Sequence, residues 1–498
     1  MQELEPRPHQ ANIIGIDLGA EFTTVARMTE AGRAEITNNS EGQPQTPSVI
    51  QIDESGEVIV GTEAKKLVGQ GRENVFAEFK RDMGTDKLWQ VGGRQVTPEQ
   101  LTSILIKRVV QDYTEQFGEP STIAITWPAN FREEQREATK SAARRAGLRN
   151  VFFIEEPTAM ALFYANQTPL YGKYLVFDLG QRSLEVTLLE AAGVDIAIIY
   201  QGGIQHLGVK DIDRALLEII KVKLEVICGE YPDLSEYSFS QSDLEEIRST
   251  LSSGTTVDVK LVSNKHGPVI FKLTRVEFTA SIQRLVEQAE MACDYALRCG
   301  QEREAGIVKK PDIKGVFMTG HGSNVPAFQA LMKKMFGMNP QLKELEHSKA
   351  LGAAIYAALK TDSGSLTPLQ RTSCRHDSGI TDVSPHFLGV AYVDWLTNQW
   401  LNHTVIHKDE KLPVSRTYRV KTNTLGHLQP FKLTESAAEE TNPDFTKTLW
   451  GGAHTLFDPL SEIDLTFGYD ANGIANASMT EVATGQRTQI DLHSSQNE

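Results

Sequence analysis

The chain is poor in cysteine and tryptophan, carries no excess of basic charge and has no long apolar run, and each shortage excludes something. Its four cysteines, Cys228, Cys293, Cys299 and Cys374, form no Cys-x-x-Cys pair and stand beside no histidine cluster. Neither a disulfide framework nor a zinc site is therefore expected. Scattered reduced thiols suit the cytoplasm, which is the expected location. Lys+Arg number 50 against 65 Asp+Glu, a formal charge of −15. A phosphate-backbone binder needs a basic face to release counterions, so nucleic acid is not an expected partner. Met1 to Asn12 is polar with two prolines, and no apolar stretch reaches the length of a membrane span. Neither a signal peptide nor a transmembrane helix is predicted, and no membrane partner. Single cores stop growing near roughly 250–300 residues, so a chain of 498 residues, 40 % apolar, should fold as two or three units.

What is present is a duplication. Ile13-Ile14-Gly15-Ile16-Asp17-Leu18-Gly19 runs on into Ala20 to Met28, and Tyr174-Leu175-Val176-Phe177-Asp178-Leu179-Gly180 runs on into Gln181 to Leu189. The step from Asp to Val is eight residues in both copies, Asp17 to Val25 and Asp178 to Val186. Each copy reads as a β-hairpin. A glycine after a buried strand lets the backbone turn and aim N–H groups at an anion, and an Asp at the strand end can hold the water shell of a metal ion. Two such hairpins facing each other would make a phosphate clamp; taken singly, each would be an unremarked hairpin.

Strand and helix signals alternate between and after the copies, which predicts an α/β architecture with mixed sheets. Thr122 to Trp127 reads as a strand stopped by Pro128, and Glu133 to Ala146 as a helix stopped by Gly147. Val151 to Ile154 reads as a strand feeding a helix that opens at Glu155-Glu156-Pro157. Carboxylates in that first turn are ordinary helix-end electrostatics. Val316 to Thr319 runs into the glycine loop Gly320-His321-Gly322-Ser323, and an Ala-rich helix is expected from Leu351 to about Lys360. Asp362 to Thr381 is rich in Ser, Thr and Gly and reads as a linker. From Ser384 to Leu492 short alternating runs between turn residues predict a small antiparallel β domain.

These motifs, in this order, resemble the DnaK-type heat-shock chaperones of the actin-like ATPase superfamily. The resemblance rests on Gly15 to Gly19, Ala124 to Lys140, Glu156-Pro157-Thr158-Ala159, Phe177 to Gly180, Gly320 to Pro326, and Tyr469 to Ile474 with Ala483 to Gly485. It implies a duplicated actin-like (ribonuclease-H-like) ATPase domain over residues 12–361, a linker over 362–383 and a β-sandwich substrate domain over 384–493, with tails at 1–11 (disordered) and 494–498. It implies ATP or ADP with Mg²⁺ as cofactors, unfolded or extended peptides as clients, and a J-domain co-chaperone and a nucleotide exchange factor as partners.

By matching positions, Asp17 and Asp178 would hold the Mg²⁺ water shell, Lys80 would sit on the γ-phosphate, and Glu156 would orient the attacking water. The phosphate loops would be Gly19, Ala20, Glu21 and Phe22, and Gly180, Gln181, Arg182 and Ser183. Gly208, Glu245, Arg248 and Ser252, with Gly320, His321, Gly322, Asn324 and Glu346, would meet the rest of the nucleotide. Leu388, Val390, Tyr392, Val393 and Val420 would line the peptide groove, although Leu388 and Val390 suit a plain sandwich core equally well.

Several positions depart from the family pattern. Ala20 and Glu21 replace two threonines, and a carboxylate there would repel phosphate, whereas Arg182 would supply charge in the second loop. His321 replaces a glycine, Ser249 and Asn324 replace two arginines, and Val209-Lys210 replaces a Gly-Glu pair. Phe152 stands where the family's J-domain contact has an arginine, and Ser378-Gly379-Ile380-Thr381 replaces a leucine-rich linker. Asp394-Trp395 replaces a glycine pair beside the groove, and the helical lid is missing. The leading expectation is an ATP-dependent chaperone; the alternative is a pseudo-ATPase serving as nucleotide sensor or scaffold. A sugar kinase or a filament-forming relative would not need the C-terminal β domain.

Overall fold

The computed structural model describes residues 11–68, 74–193, 195–263, 265–303 and 308–373, then 384, 386–394, 399–407, 410, 413–423, 428, 430–436, 439–443, 446–452, 458–470, 475–490 and 492. The described residues form two units, one drawn from 1–167, 194–198 and 349–498 and the other from 168–193 and 199–348.

The first unit is built on the Ile13–Leu18 strand, which is apolar along nearly its whole length because both faces are covered. It pairs parallel with Thr122–Trp127 and antiparallel with Phe22–Met28. The sheet runs Val151–Glu155, Thr122–Trp127, Ile13–Leu18, Phe22–Met28, Ala34–Ile36, with Gln45–Pro47 also against Phe22–Met28. In the sheet of the second hairpin, Leu170–Leu179 pairs antiparallel with Ser183–Gly193 and parallel with Ile313–Thr319.

The two copies match beyond their sequences. Asp17 lies opposite Thr24 and Asp178 opposite Glu185, so each Asp faces the residue seven positions on. Each also has a threonine beside it on its parallel neighbour, Thr126 for Asp17 and Thr319 for Asp178.

The helix expected from Leu351 starts earlier, at Ser348, and runs to Lys360. It crosses the Glu156–Ala165 helix at Gly352, where a Cβ would stand 1.7 Å from the Ala159 carbonyl oxygen. Only a bare backbone fits there. Glu156 precedes Ala159 by three residues and Lys349 precedes Gly352 by three, so one turn from the crossing each helix presents a charged side chain toward the other.

The expected linker is partly folded. Thr367 and Gln370 form a capping box (Gln370 N–H to Thr367 Oγ1 3.0 Å, Thr367 N–H to Gln370 Oε1 2.9 Å) that starts a Pro368–Ser373 helix. The Thr367 hydroxyl donates to the Glu30 carbonyl at 2.7 Å and Gln370 Nε2 to that of Thr29 at 3.1 Å, fixing this helix on the turn after the first hairpin. The Thr-Pro-Leu-Gln signal outweighs the loop-like composition around it. Ala11, placed in the expected N-terminal tail, is buried and its N–H donates to Ser365 O at 3.0 Å, while residues 1–10 lie outside the described residues. Residues 374–383, with Cys374 and the Ser378 to Thr381 segment, lie outside the described residues, as do Trp395, 471–474 and the 494–498 tail.

Among the described residues the C-terminal β domain shows two four-stranded antiparallel sheets, one ordered Trp400–Ile406, Phe387–Val393, Phe431–Ser436, Lys447–Gly452 and the other Val414–Lys421, Glu462–Tyr469, Ala475–Glu481, Arg487–Ile490. Leu388, Ile406 and Leu433 meet Ile463, Leu465, Phe467 and Met479 in its core. It contacts the Glu133–Arg145 helix of the same unit, where Ala475 N–H donates to Glu133 Oε2 at 2.9 Å and Asp470 stands 3.9 Å from Lys140. Burial pushes the Glu133 carboxyl up to about 8, with the Glu435 charge adding to it. Burial also opposes the Glu435 charge, but His386, Tyr469 and Arg136 outweigh it and hold that carboxyl below its ordinary value.

Two outcomes are expected. Gly352→Ala should lower unfolding stability in urea by about 1–3 kcal/mol, as overpacking does. A carboxyl raised from 4.5 to about 8 binds its proton more tightly in the folded state. Its contribution is therefore fully present below 4.5 and is lost as pH rises through 8. Glu133→Gln should flatten the decline of stability between pH 5 and 8, read from urea unfolding of the full chain at several pH values.

Candidate functional site

In the first unit the end of the first hairpin is held from below. The Thr126 hydroxyl donates to Asp17 Oδ1 at 2.6 Å and accepts the Leu18 N–H at 3.3 Å. Asp17 keeps some solvent access but is densely surrounded; lost hydration is the strongest influence on its carboxyl and raises its pKa. Lys349, Thr126 and Lys80 favour its anion, and Glu156 opposes it.

Lys80 lies on the Phe79–Asp82 turn, buried, with its ammonium donating to the Leu18 carbonyl and lying 3.3 Å from Glu156 Oε1. Glu156 opens the Glu156–Ala165 helix, where the dipole favours a carboxylate. Its other oxygen, Oε2, accepts from Lys349 Nζ at 2.8 Å. Burial pushes Glu156 up, yet Lys349 and Lys80 together hold it at about 2. The structure thus brings Asp17, Lys80, Glu156 and Lys349 together.

Next to Glu156, Glu155 is also occupied: Arg136 Nη2 contacts its Oε1 at 2.7 Å, with the guanidinium 4.8 Å over the Trp127 ring. The two carboxylates of Glu155-Glu156 are therefore held in separate buried ion pairs, in addition to the ordinary helix-end electrostatics expected of them. In the Gly19 to Phe22 turn, the Ser48 hydroxyl donates to Gly19 O at 2.8 Å, and the Ser48 N–H donates to Glu21 O at 2.7 Å. Ala20 follows Gly19 in the turn. Glu21 Oε1 stands 4.0 Å from Lys65, whose ammonium lies 4.5 Å from the Phe22 ring centroid. Lys65 offsets part of the Glu21 charge.

In the second unit Asp178 sits beside Gly320, which has φ +79° and whose Cβ would come 2.7 Å from Asp178 Oδ1 and 2.4 Å from Leu179 O. The backbone of the Gly320 to Asn324 loop therefore lies against this carboxylate. Gly180 N–H donates to Ser183 O at 3.0 Å, closing the turn that carries Gln181 and Arg182. Val209 N–H and Lys210 N–H donate to Gly180 O and Gln181 O at 3.0 and 2.9 Å, and Gly208 caps that helix. The first N–H groups of the Val209–Cys228 helix are thereby spent on the loop.

Glu245, Arg248 and Ser252 share the Gln241–Ser253 helix, as their spacing predicts. Glu245 is exposed, whereas Arg248 Nε donates to buried Asp213 at 2.7 Å and Ser252 Oγ to Arg248 O at 2.8 Å. His321 opens a short turn reaching Asn324, with Gly322 buried, and its Nε2 is 3.5 Å from Glu346 Oε1. Of the residues expected to line a groove, Leu388 lies in the sandwich core and Val390 and Val420 pack partly buried against it. Tyr392 is exposed, and Val393 is half-buried at the end of the same strand.

Lys349 escaped the sequence reading because the helix was started at Leu351, which left it in a loop. The available signal was a lysine in the first turn of a helix, where the dipole disfavours a cation. Thr126 and Asp213 were missed because their roles depend on neighbours distant in sequence.

A family model described as Hsp70 protein matches residues 13–91 and 86–498. The chain is 28% identical over 491 residues to the chaperone protein DnaK of Thermosipho africanus (strain TCF52B), an alignment that takes in 95% of this chain and 78% of that one. Against the chaperone protein DnaK of Thermosipho melanesiensis (strain DSM 12029 / CIP 104789 / BI429) it is again 28% identical over 491 residues, with 95% and 79% covered.

A depressed Glu156 pKa fixes a further expectation. A carboxyl lowered from 4.5 to about 2 stabilises the fold above pH 4.5 and ceases to do so as pH falls through 2. Wild type should therefore exceed Glu156→Gln in unfolding stability at pH 7, and the gap should close on acidification toward pH 2, as measured by urea unfolding.

Proposed function

As the chain belongs to the Hsp70 protein family of chaperones, whose members in general bind ATP or ADP with Mg²⁺, we propose that it binds ATP through residues 12–361 and hydrolyses it slowly to control binding of unfolded or extended peptides by residues 384–493. The observation that supports this reading is the buried group of Asp17, Lys80 and Glu156, with Lys80 3.3 Å from Glu156. Transfer of a phosphoryl group to water asks for charge neutralisation and a positioned nucleophile more than for covalent chemistry. Lys80 would neutralise the γ-phosphate, and Glu156 would orient the water. Mg²⁺, when bound, spreads and offsets phosphate charge; Asp17 and Asp178 would hold its water shell. Both carboxylates suit that role: each is half-buried near the end of its hairpin strand, with some access left for water.

The remaining loop residues are assigned by the same resemblance, with Gly180 to Ser183 at the phosphates and Glu245, Arg248, Ser252, His321 and Glu346 at the nucleoside. A J-domain co-chaperone and a nucleotide exchange factor are the partners this reading carries. The cytoplasm is its compartment, in keeping with free thiols at Cys228, Cys293 and Cys299.

A second reading, nucleotide binding without turnover, is favoured by one observation. Both oxygens of Glu156 are taken by ammonium groups and its pKa is held at about 2, which makes it a poor proton acceptor. Calorimetric titration with Mg-ATP followed by single-turnover hydrolysis separates the two. Binding with hydrolysis that falls about a hundredfold or more in Lys80→Ala is the expected result. Binding without hydrolysis supports the sensor, and no heat at millimolar ATP removes both.

A further inference from the structure

Four side chains in the first unit form one cluster. Asp17 and Glu156 are its two carboxyl groups, and Lys80 and Lys349 its two ammonium groups. Lys80 Nζ is 3.3 Å from Glu156 Oε1 and Lys349 Nζ 2.8 Å from Glu156 Oε2, with side-chain exposures of 8% for Lys80, 12% for Glu156 and 16% for Lys349. Without Lys349 the single ammonium of Lys80 would be matched by Glu156. With it, a second ammonium stands in the cluster, beyond the one that Glu156 requires.

Lys349 is held there by the fold. Its helix crosses the Glu156 helix at the Gly352–Ala159 contact, one turn away, where no side chain separates the backbones. A cation in the first turn of a helix opposes the dipole, so this placement depends on the carboxylates it meets. Among the charges acting on Asp17, that of Lys349 is the strongest, ahead of Glu156 and Lys80.

We propose that Lys349 is a built-in cation of the nucleotide site, supplying to Asp17 and Glu156 the positive charge that a divalent metal would otherwise bring, so that the chain binds nucleotide with little dependence on Mg²⁺. The proposal rests on the reading that this unit binds nucleotide. Lys349 acts as a positioning residue on Glu156, and the chemical class recognised is a nucleoside di- or triphosphate in its metal-free as well as its metal-bound form.

The test is titration of the full chain with a ribose-labelled fluorescent ATP, in excess EDTA and in excess Mg²⁺, for wild type and Lys349→Met. Wild-type affinity should differ by less than about threefold between the two conditions, whereas Lys349→Met should bind at least about tenfold more weakly in EDTA and recover with Mg²⁺. A second readout needs no nucleotide: Mg²⁺ should raise the melting temperature of Lys349→Met and leave that of wild type unchanged. Wild-type binding that is lost in EDTA overturns the proposal while leaving nucleotide binding intact, and it does so even if the variant fails to fold. Equal Mg²⁺ dependence in both proteins also overturns it. Absence of binding in every condition removes the nucleotide reading and the proposal with it.

Discussion

Glu156 is a carboxylate taken out of water, and such a group is tolerated only where opposite charge and hydrogen bonds replace its hydration. Much of the first unit serves that requirement. The Phe79–Asp82 turn delivers Lys80 to one oxygen, and the Ser348–Lys360 helix delivers Lys349 to the other. That second delivery is possible because Gly352 lets two helices meet backbone to backbone. A residue with no side chain thus determines where a charged side chain three positions away can act.

The architecture was legible in the sequence wherever the signal was local and periodic. The two Asp-Leu-Gly hairpins, the Glu133–Arg145 helix with its Gly147 stop and the alternating strands of the C-terminal domain follow from spacing alone. Asp17, Lys80 and Glu156 could be grouped only through the family resemblance, since they are distant in the chain. Their partners were not legible. Thr126, Lys349 and Asp213 are ordinary residues in ordinary segments, and each becomes important because tertiary packing places it beside a carboxyl or a guanidinium. Composition misled at Pro368–Ser373, where a four-residue capping signal prevailed over a Ser- and Thr-rich background.

The contact between the β domain and the Glu133–Arg145 helix follows the same physics as the carboxylate cluster, with a different solution. Glu133 accepts from a backbone N–H and feels the Arg136 charge only weakly, so its proton, more than a partner's charge, relieves the burial. Glu156 is neutralised by lysines and Glu133 by protonation. One unit therefore contains two buried carboxyl groups whose pKa values are driven in opposite directions by what stands within reach.

The Pro368–Ser373 helix has a mechanical meaning. It lies between the helix ending at Lys360 and the first strand of the β domain, and it is tied by Thr367 and Gln370 to the carbonyls of Glu30 and Thr29. Tension applied to the chain beyond Ser373 would meet these two hydrogen bonds before it reached the strand that carries Asp17. They are the fuse of this unit: a pull from the C-terminal side is met at the turn that follows the first hairpin, away from the carboxylate that the hairpin presents.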